Sequence, residues 1–136
     1  MAAKYTHVVD ACALITYLKG EPGHEKFAEI LQNERNFVAM HQVNLCEVFY
    51  GYLRSDGPAV AEAAWQAATR IVTPIDLCTE DFVKRVGRWK VQHRLGLGDS
   101  FAAATAEEFA CALLTGDHRD FDPIERIAVL QIVWIP

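Results

Sequence analysis

A chain of 136 residues, 51% hydrophobic and 23% charged, has the length and balance of one globular domain with a real core, outside the disordered and fibrous classes. Its formal charge is −5 at pH 7, an acidity that by itself argues against a nucleic-acid partner. No apolar run reaches the roughly 20 residues that span a bilayer, and the N-terminus lacks the basic, apolar, small-residue order of a secretory signal; the expectation is a single cytoplasmic domain over residues 1–136, with no membrane partner.

The first strand is expected from about Lys4 to Val9, a short β-branched run that stops at Asp10. A helix from Ala11 to about Lys19 follows, with Leu14, Ile15 and Leu18 at helical spacing, and Gly20-Glu21-Pro22-Gly23 breaks it. A second helix from His24 to about Asn33 carries Phe27, Ile30 and Leu31 on one face, and Asn36 to Met40 reads as a short strand. The helix from about Val43 to Arg54 has a wide apolar stripe of Val43, Leu45, Val48, Phe49 and Tyr52. Ser55-Asp56-Gly57-Pro58 ends it and opens an alanine-rich helix to about Thr69, and Arg70 to Ile75 reads as a third strand.

Thr79 caps the next predicted helix, with Phe82, Val83, Val86 and Trp89 inward and Lys84, Arg85 and Arg88 outward. Gly96-Leu97-Gly98 interrupts the chain, and Asp99 begins a helix of very small residues through Phe109. Cys111 to Thr115 is a fourth strand, Gly116 to Pro123 a polar loop, and Val129 to Ile135 a fifth strand. Strands alternating with helices imply right-handed crossovers and an α/β fold: a mostly parallel five-stranded sheet with helices on both faces.

Four acids stand out in this scheme. Asp10 ends the first strand, Asp99 opens a helix after a glycine loop, Asp117 follows the fourth strand, and Glu47 lies within a helix among apolar neighbours. Singly, Asp10 and Asp99 read equally well as helix caps, Asp117 as a turn residue and Glu47 as a solvated helix position. In open α/β sheets, however, ligands bind outside the carboxyl ends of the strands. Unpaired carboxylates crowded there repel one another and call for a cation. An all-oxygen ligand set suits Mg²⁺ or Mn²⁺, whose natural use is phosphodiester chemistry with a metal-activated water. Zinc is disfavoured: Cys12, Cys46, Cys78 and Cys111 have no zinc or redox spacing, and the five histidines form no ligand pair.

The whole chain resembles the PIN-domain ribonucleases, most closely the VapC-type toxins of VapBC systems. The resemblance rests on Asp10-Ala11-Cys12-Ala13 with Gly20-Glu21-Pro22-Gly23 behind it, on Asn44-x-x-Glu47, and on Leu97-Gly98-Asp99 followed by Ala103 and Thr105-Ala106. It continues through Leu114-Thr115-Gly116-Asp117-x-x-Asp120-Phe121 to a last β-branched strand. The resemblance implies a PIN-like, Rossmann-like three-layer sandwich in which Asp10, Glu47, Asp99 and Asp117 form a metal-binding catalytic quartet, with Asp120 and Asp122 as auxiliary acids. It further implies cleavage of RNA with Mg²⁺ or Mn²⁺, a homodimer, and silencing by a cognate VapB-type antitoxin. Cys12 departs from the pattern, since the family commonly has a hydroxyl residue beside its first Asp; a thiol donates only weakly, and Cys12 stays outside the quartet.

Two divalent ions on the quartet would bring the formal charge close to neutral, which removes acidity as an objection to RNA. Arg85, Arg88, Lys90, His93 and Arg94 precede Asp99 and are the candidate phosphate contacts, with Arg85, Arg88 and Arg94 foremost; a solvated basic face is the plainer reading. Tyr52, Trp65 and Trp89 fall on apolar faces as core or dimer contacts, and the apolar surface from Val43 to Thr69 suits a dimer or an antitoxin. The competing function is a catalytically silent PIN-like module that binds RNA or protein without turnover.

Overall fold

In a computed structural model describing residues 4–127 and 129–136, the chain alternates strand and helix as the pattern requires. Its strands are β1 (His7–Val9), β2 (Val38–His41), β3 (Thr73–Ile75), β4 (Ala112–Thr115) and β5 (Ile132–Trp134). Its helices are α1 (Ala11–Lys19), α2 (His24–Gln32), α3 (Gln42–Asp56), α4 (Pro58–Ile71), α5 (Glu80–His93), α6 (Leu97–Glu108) and α7 (His118–Arg126). The strands form one sheet in the order β3-β2-β1-β4-β5, and every neighbouring pair is parallel. Among the described residues, no helix is long and apolar enough to cross a membrane.

Alternation along the strands builds two cores. Val8 and Leu113 face one side with Phe82, Val86 and Trp89 of α5, the alanines of α6, and Phe121 and Ile124 of α7. Val9 and Leu114 face the other with Leu14, Phe27, Leu45, Val48 and the alanines of α4. All residues of β2 and β4 are buried, as parallel strands covered on both faces must be. The alanines at 102, 103, 104 and 106 let α6 lie close against the central strands.

Several expectations are corrected. Arg70 and Ile71 continue α4, so the third strand starts at Thr73; it is an edge strand, where Pro74 costs no central ladder bond. Val83 is 46% exposed, because the buried stripe of α5 runs through Phe82, Val86 and Trp89 and Val83 lies about 100° off it. The predicted polar loop from Gly116 to Pro123 is instead mostly α7, whose Phe121 and Ile124 are buried one turn apart. Helix α6 begins at Leu97 with Gly96 as its cap, so Asp99 sits in the first turn instead of capping it.

The sheet order makes the chain leave β1 toward β2 and β3 and later return to β4 and β5. The carboxyl ends of β1 and β4 therefore flank a topological switch point, where a crevice opens between diverging connections. Helices α1 and α7 both start at that crevice.

Candidate metal centre

Asp10 follows β1 and caps α1: its Oδ1 accepts the Ala13 N–H at 2.8 Å, and its backbone N–H donates to the Leu114 carbonyl of β4. It is 1% exposed, although an ionised carboxylate is among the costliest groups to bury. Its Oδ2 accepts the hydroxyl of Thr115, itself fully buried at the end of β4. The same hydroxyl oxygen accepts the N–H of Asp117 at 3.0 Å. Asp117 in turn caps α7, with its Oδ1 taking the N–H of Asp120 at 3.1 Å.

Glu47 reaches the crevice from α3. That helix is capped by the imidazole of His41, whose Nδ1 accepts the Val43 N–H at 3.0 Å while Nε2 faces the Leu77 carbonyl at 2.9 Å. Burial lowers the His41 pKa, in keeping with the neutral ring this geometry needs. Asn44 donates to Glu47 Oε1, and the Glu47 carboxylate lies directly on Gly98, where any β-carbon would run into it. Asp99 follows at the next position of α6.

One carboxylate oxygen each from Asp99, Asp117 and Asp120 lie within 4.8 Å of one another, a grouping that could hold a metal ion. Asp10 and Glu47 belong to the same electrostatic neighbourhood. Burial first, and then the charges of Asp117 and Glu47, push the Asp10 pKa up to about 7 against the opposing bonds from Thr115 and Ala13. Asp99 is also raised well above the ordinary carboxylate range: by burial first, then by a hydrogen bond shared with Asp120, then by the charges of Asp10, Asp117 and Asp120.

Of the four acids picked out in the sequence, Asp99 and Asp117 lie in one grouping with Asp120, while Asp10 acts on that grouping by its charge and Glu47 acts on Asp10, neither belonging to it. Asp122 does not join the Asp99 grouping; its Oδ1 faces His118 Nδ1 at 2.8 Å. Thr115 is the residue sequence reasoning passed over, although its place two positions before Asp117 at a strand end was a readable signal. Among the described residues, none of Asp10, Glu47, Asp99, Asp117 and Asp120 has an ion pair to Lys, Arg or His. Such a set of oxygens, crowded and short of positive charge, fits a hard divalent cation such as Mg²⁺ or Mn²⁺. Cys12 sits at the rim, its Sγ near Gly116. Burial and then the charges of Asp10, Asp117 and Asp99 push its thiol up to about 11, so it stays a protonated, weak donor.

The proposed RNA contacts divide. Arg85 is committed to Asp81, Glu107 and Glu108 at 3.2, 3.5 and 3.6 Å. Arg88 and Arg94 are exposed, and Arg94 ends α5 in the left-handed region just before the α6 turn that carries Asp99.

The family model described as PIN domain matches residues 7–128 of the chain. No curated protein matches. Among solved structures, VapBC-1 from nontypeable Haemophilus influenzae superposes with a TM-score of 0.71 at 20% identity, covering 96% of this chain and 98% of that one. VapBC2 from Rickettsia felis, bound to a DNA fragment from its promoter, gives 0.74 at 17% identity over 94% and 97%. VapC20 from Mycobacterium tuberculosis, a toxin that cleaves the sarcin–ricin loop, gives 0.69 at 20% identity over 88% and 95%. At such identities the likeness is one of fold.

Proposed function

This chain belongs to the PIN domain family, and from that membership we propose that it is a Mg²⁺- or Mn²⁺-dependent endoribonuclease, the toxin of a type II toxin–antitoxin pair acting in the cytoplasm. The observation that carries this reading is the gathering of Asp10, Glu47, Asp99 and Asp117, with Asp120, at the switch point of a parallel sheet without a paired cation among the described residues. The fold shared with structures of VapBC complexes supports the toxin assignment.

Asp10, Glu47, Asp99 and Asp117 are the residues that would hold the ion, with Asp120 adding an oxygen beside Asp99 and Asp117. A divalent cation held there would supply positive charge to stabilise a phosphodiester under attack and would make water more acidic. The chain's own part is to fix the oxygens. Asp10 is held from both sides by Ala13 and Thr115, and Asp117 is tied through the same Thr115 hydroxyl. Arg88 and Arg94 would take flanking phosphates of the RNA.

Partners follow from the surface of α3 and α4. Between α3 and α4 lies a cleft of about 270 Å³ lined by Phe49, Glu62 and Trp65. Tyr50, Leu53 and Val60 are exposed on the same two helices. A cognate VapB-type antitoxin and a second copy of the chain are the partners such surface suits.

The test is cleavage of structured RNA by purified protein with Mg²⁺ or Mn²⁺, compared with Asp10→Asn and Glu47→Gln, alongside growth arrest on expression. Cleavage that survives both substitutions would overturn the reading.

A further inference from the structure

Asn44 is 1% exposed, and its amide nitrogen makes two hydrogen bonds of 2.9 Å, one to Glu47 Oε1 and one to the backbone carbonyl of Gly98. Both partners are acceptors only, so the orientation of the amide is fixed: turned over, it would set oxygen against oxygen. The first bond holds a neighbour three residues along the same helix face. The second crosses 54 positions to α6, one residue before Asp99. A single NH₂ group therefore ties Glu47 to the turn that carries Asp99.

The other half of this amide is stranded. Asn44 Oδ1 is the one buried side-chain polar atom among the described residues that lacks a hydrogen-bond partner. A buried acceptor without a partner carries its full desolvation cost, and an apolar side chain of the same shape would avoid it. Asn at this position is thus a poor choice for packing and a good one for presenting two donors. Gly98 reports the same constraint from the opposite helix, because a β-carbon there would displace the Glu47 carboxylate that lies on it.

We propose that Asn44 is a positioning residue that holds the Glu47 carboxylate against the first turn of α6, and so sets the gap between Glu47 and Asp99 for a divalent ion. This inference rests on the metal site proposed above. Asn44 need not touch the ion: it acts through Glu47 and through the backbone that places Asp99. Outer partners of this kind are worth roughly 10–100-fold in metal affinity.

The experiment is Mn²⁺ calorimetry on the full metal-free chain, with thermal melting of the same samples, for the wild type, Asn44→Leu and Gly98→Ala. Asn44→Leu is expected to bind Mn²⁺ at least about tenfold more weakly while melting at the same or a higher temperature, a split that a merely structural role would not give. Gly98→Ala, with Asn44 intact, is expected to lose affinity in the same way. Wild-type affinity in Asn44→Leu, or a drop in affinity that only tracks a drop in stability, overturns the proposal. Should Asn44→Leu not fold, Gly98→Ala decides, and unchanged Mn²⁺ affinity there overturns it. A wild type that takes up no Mn²⁺ removes the metal site itself, and this inference with it.

Discussion

The hydroxyl of Thr115 donates to Oδ2 of Asp10 from 105 positions away in the sequence, and its oxygen accepts the N–H of Asp117. One buried side chain thus locks an acid of the first strand to an acid that follows the fourth. Thr115→Val keeps the shape and deletes both bonds, leaving a buried carboxylate oxygen and an N–H without partners. Stability should fall by about 1–3 kcal/mol, read as a lower denaturation midpoint, and Thr115→Ser should recover most of it. A valine variant as stable as the wild type would show that the hydroxyl does not anchor the site.

Asp10→Asn separates chemistry from folding. The amide oxygen can still accept the Ala13 N–H, and the Thr115 hydroxyl can accept where it now donates. The substitution also removes a buried negative charge that faces Asp117 and Glu47. RNA cleavage should drop by about 100-fold or more, at least the upper range for losing an outer metal partner. The metal-free variant should melt no lower than the wild type at pH 8; a marked drop in melting temperature would mean that the charge itself supports the fold.

Acidity should stabilise the metal-free protein over an unusual range. The Asp10 pKa is about 7 in the folded chain against an ordinary value of 3.8, so the folded state binds its proton more tightly than the unfolded one. That stability is fully present below about pH 4 and is lost as pH rises through 7; the raised Asp99 acts in the same direction. Melting temperature without metal should therefore fall between pH 4 and pH 8 beyond what the remaining groups produce. Saturating Mn²⁺ should flatten the fall, and its uptake near pH 7 should release protons. A flat metal-free profile would contradict the burial of an unpaired Asp10.

The two exposed arginines and the paired one should behave differently. Arg88→Ala and Arg94→Ala are expected to weaken RNA binding and to reduce the salt slope by about one for each phosphate left without its arginine, with Mn²⁺ affinity unchanged. Arg85→Ala should leave the slope alone and cost at most about 1 kcal/mol per ion pair, because its three carboxylate partners all keep contact with solvent. Salt titrations of RNA binding by each variant distinguish these outcomes.

The order of strands and helices was readable because each signal was local: Val8 and Val9 before Asp10, the glycines around Leu97, the apolar stripe from Val43 to Tyr52. What escaped was where local signals conflict. Helix α7 looked like a loop because Gly116 to Pro123 is polar and carries a proline, which removes one helical bond. Its real markers were Asp117 as cap and the pair Phe121 and Ile124, three residues apart and both buried. Helix α4 ran on through Arg70 and Ile71, whose β-branched neighbours Val72 and Thr73 suggested a strand. In the candidate site the acids themselves could be singled out. The place of Thr115 before Asp117 was readable as well, but its bond to Asp10 and that of Asn44 to Gly98 were not, since they join positions 105 and 54 apart and need burial that only the packed sheet creates.

The strand order of the sheet also has a consequence during synthesis. Asp10 and Glu47 leave the ribosome early, Asp99 later, and Thr115, Asp117 and Asp120 last, because β4 must slot in beside β1 before the crevice closes. A polypeptide broken off before β4 holds Asp10 without the hydroxyl that anchors it and lacks the acids at the start of α7. For the nuclease proposed above, the geometry would work as a completion check: the acid grouping of Asp99, Asp117 and Asp120 can form only after most of the chain has been made.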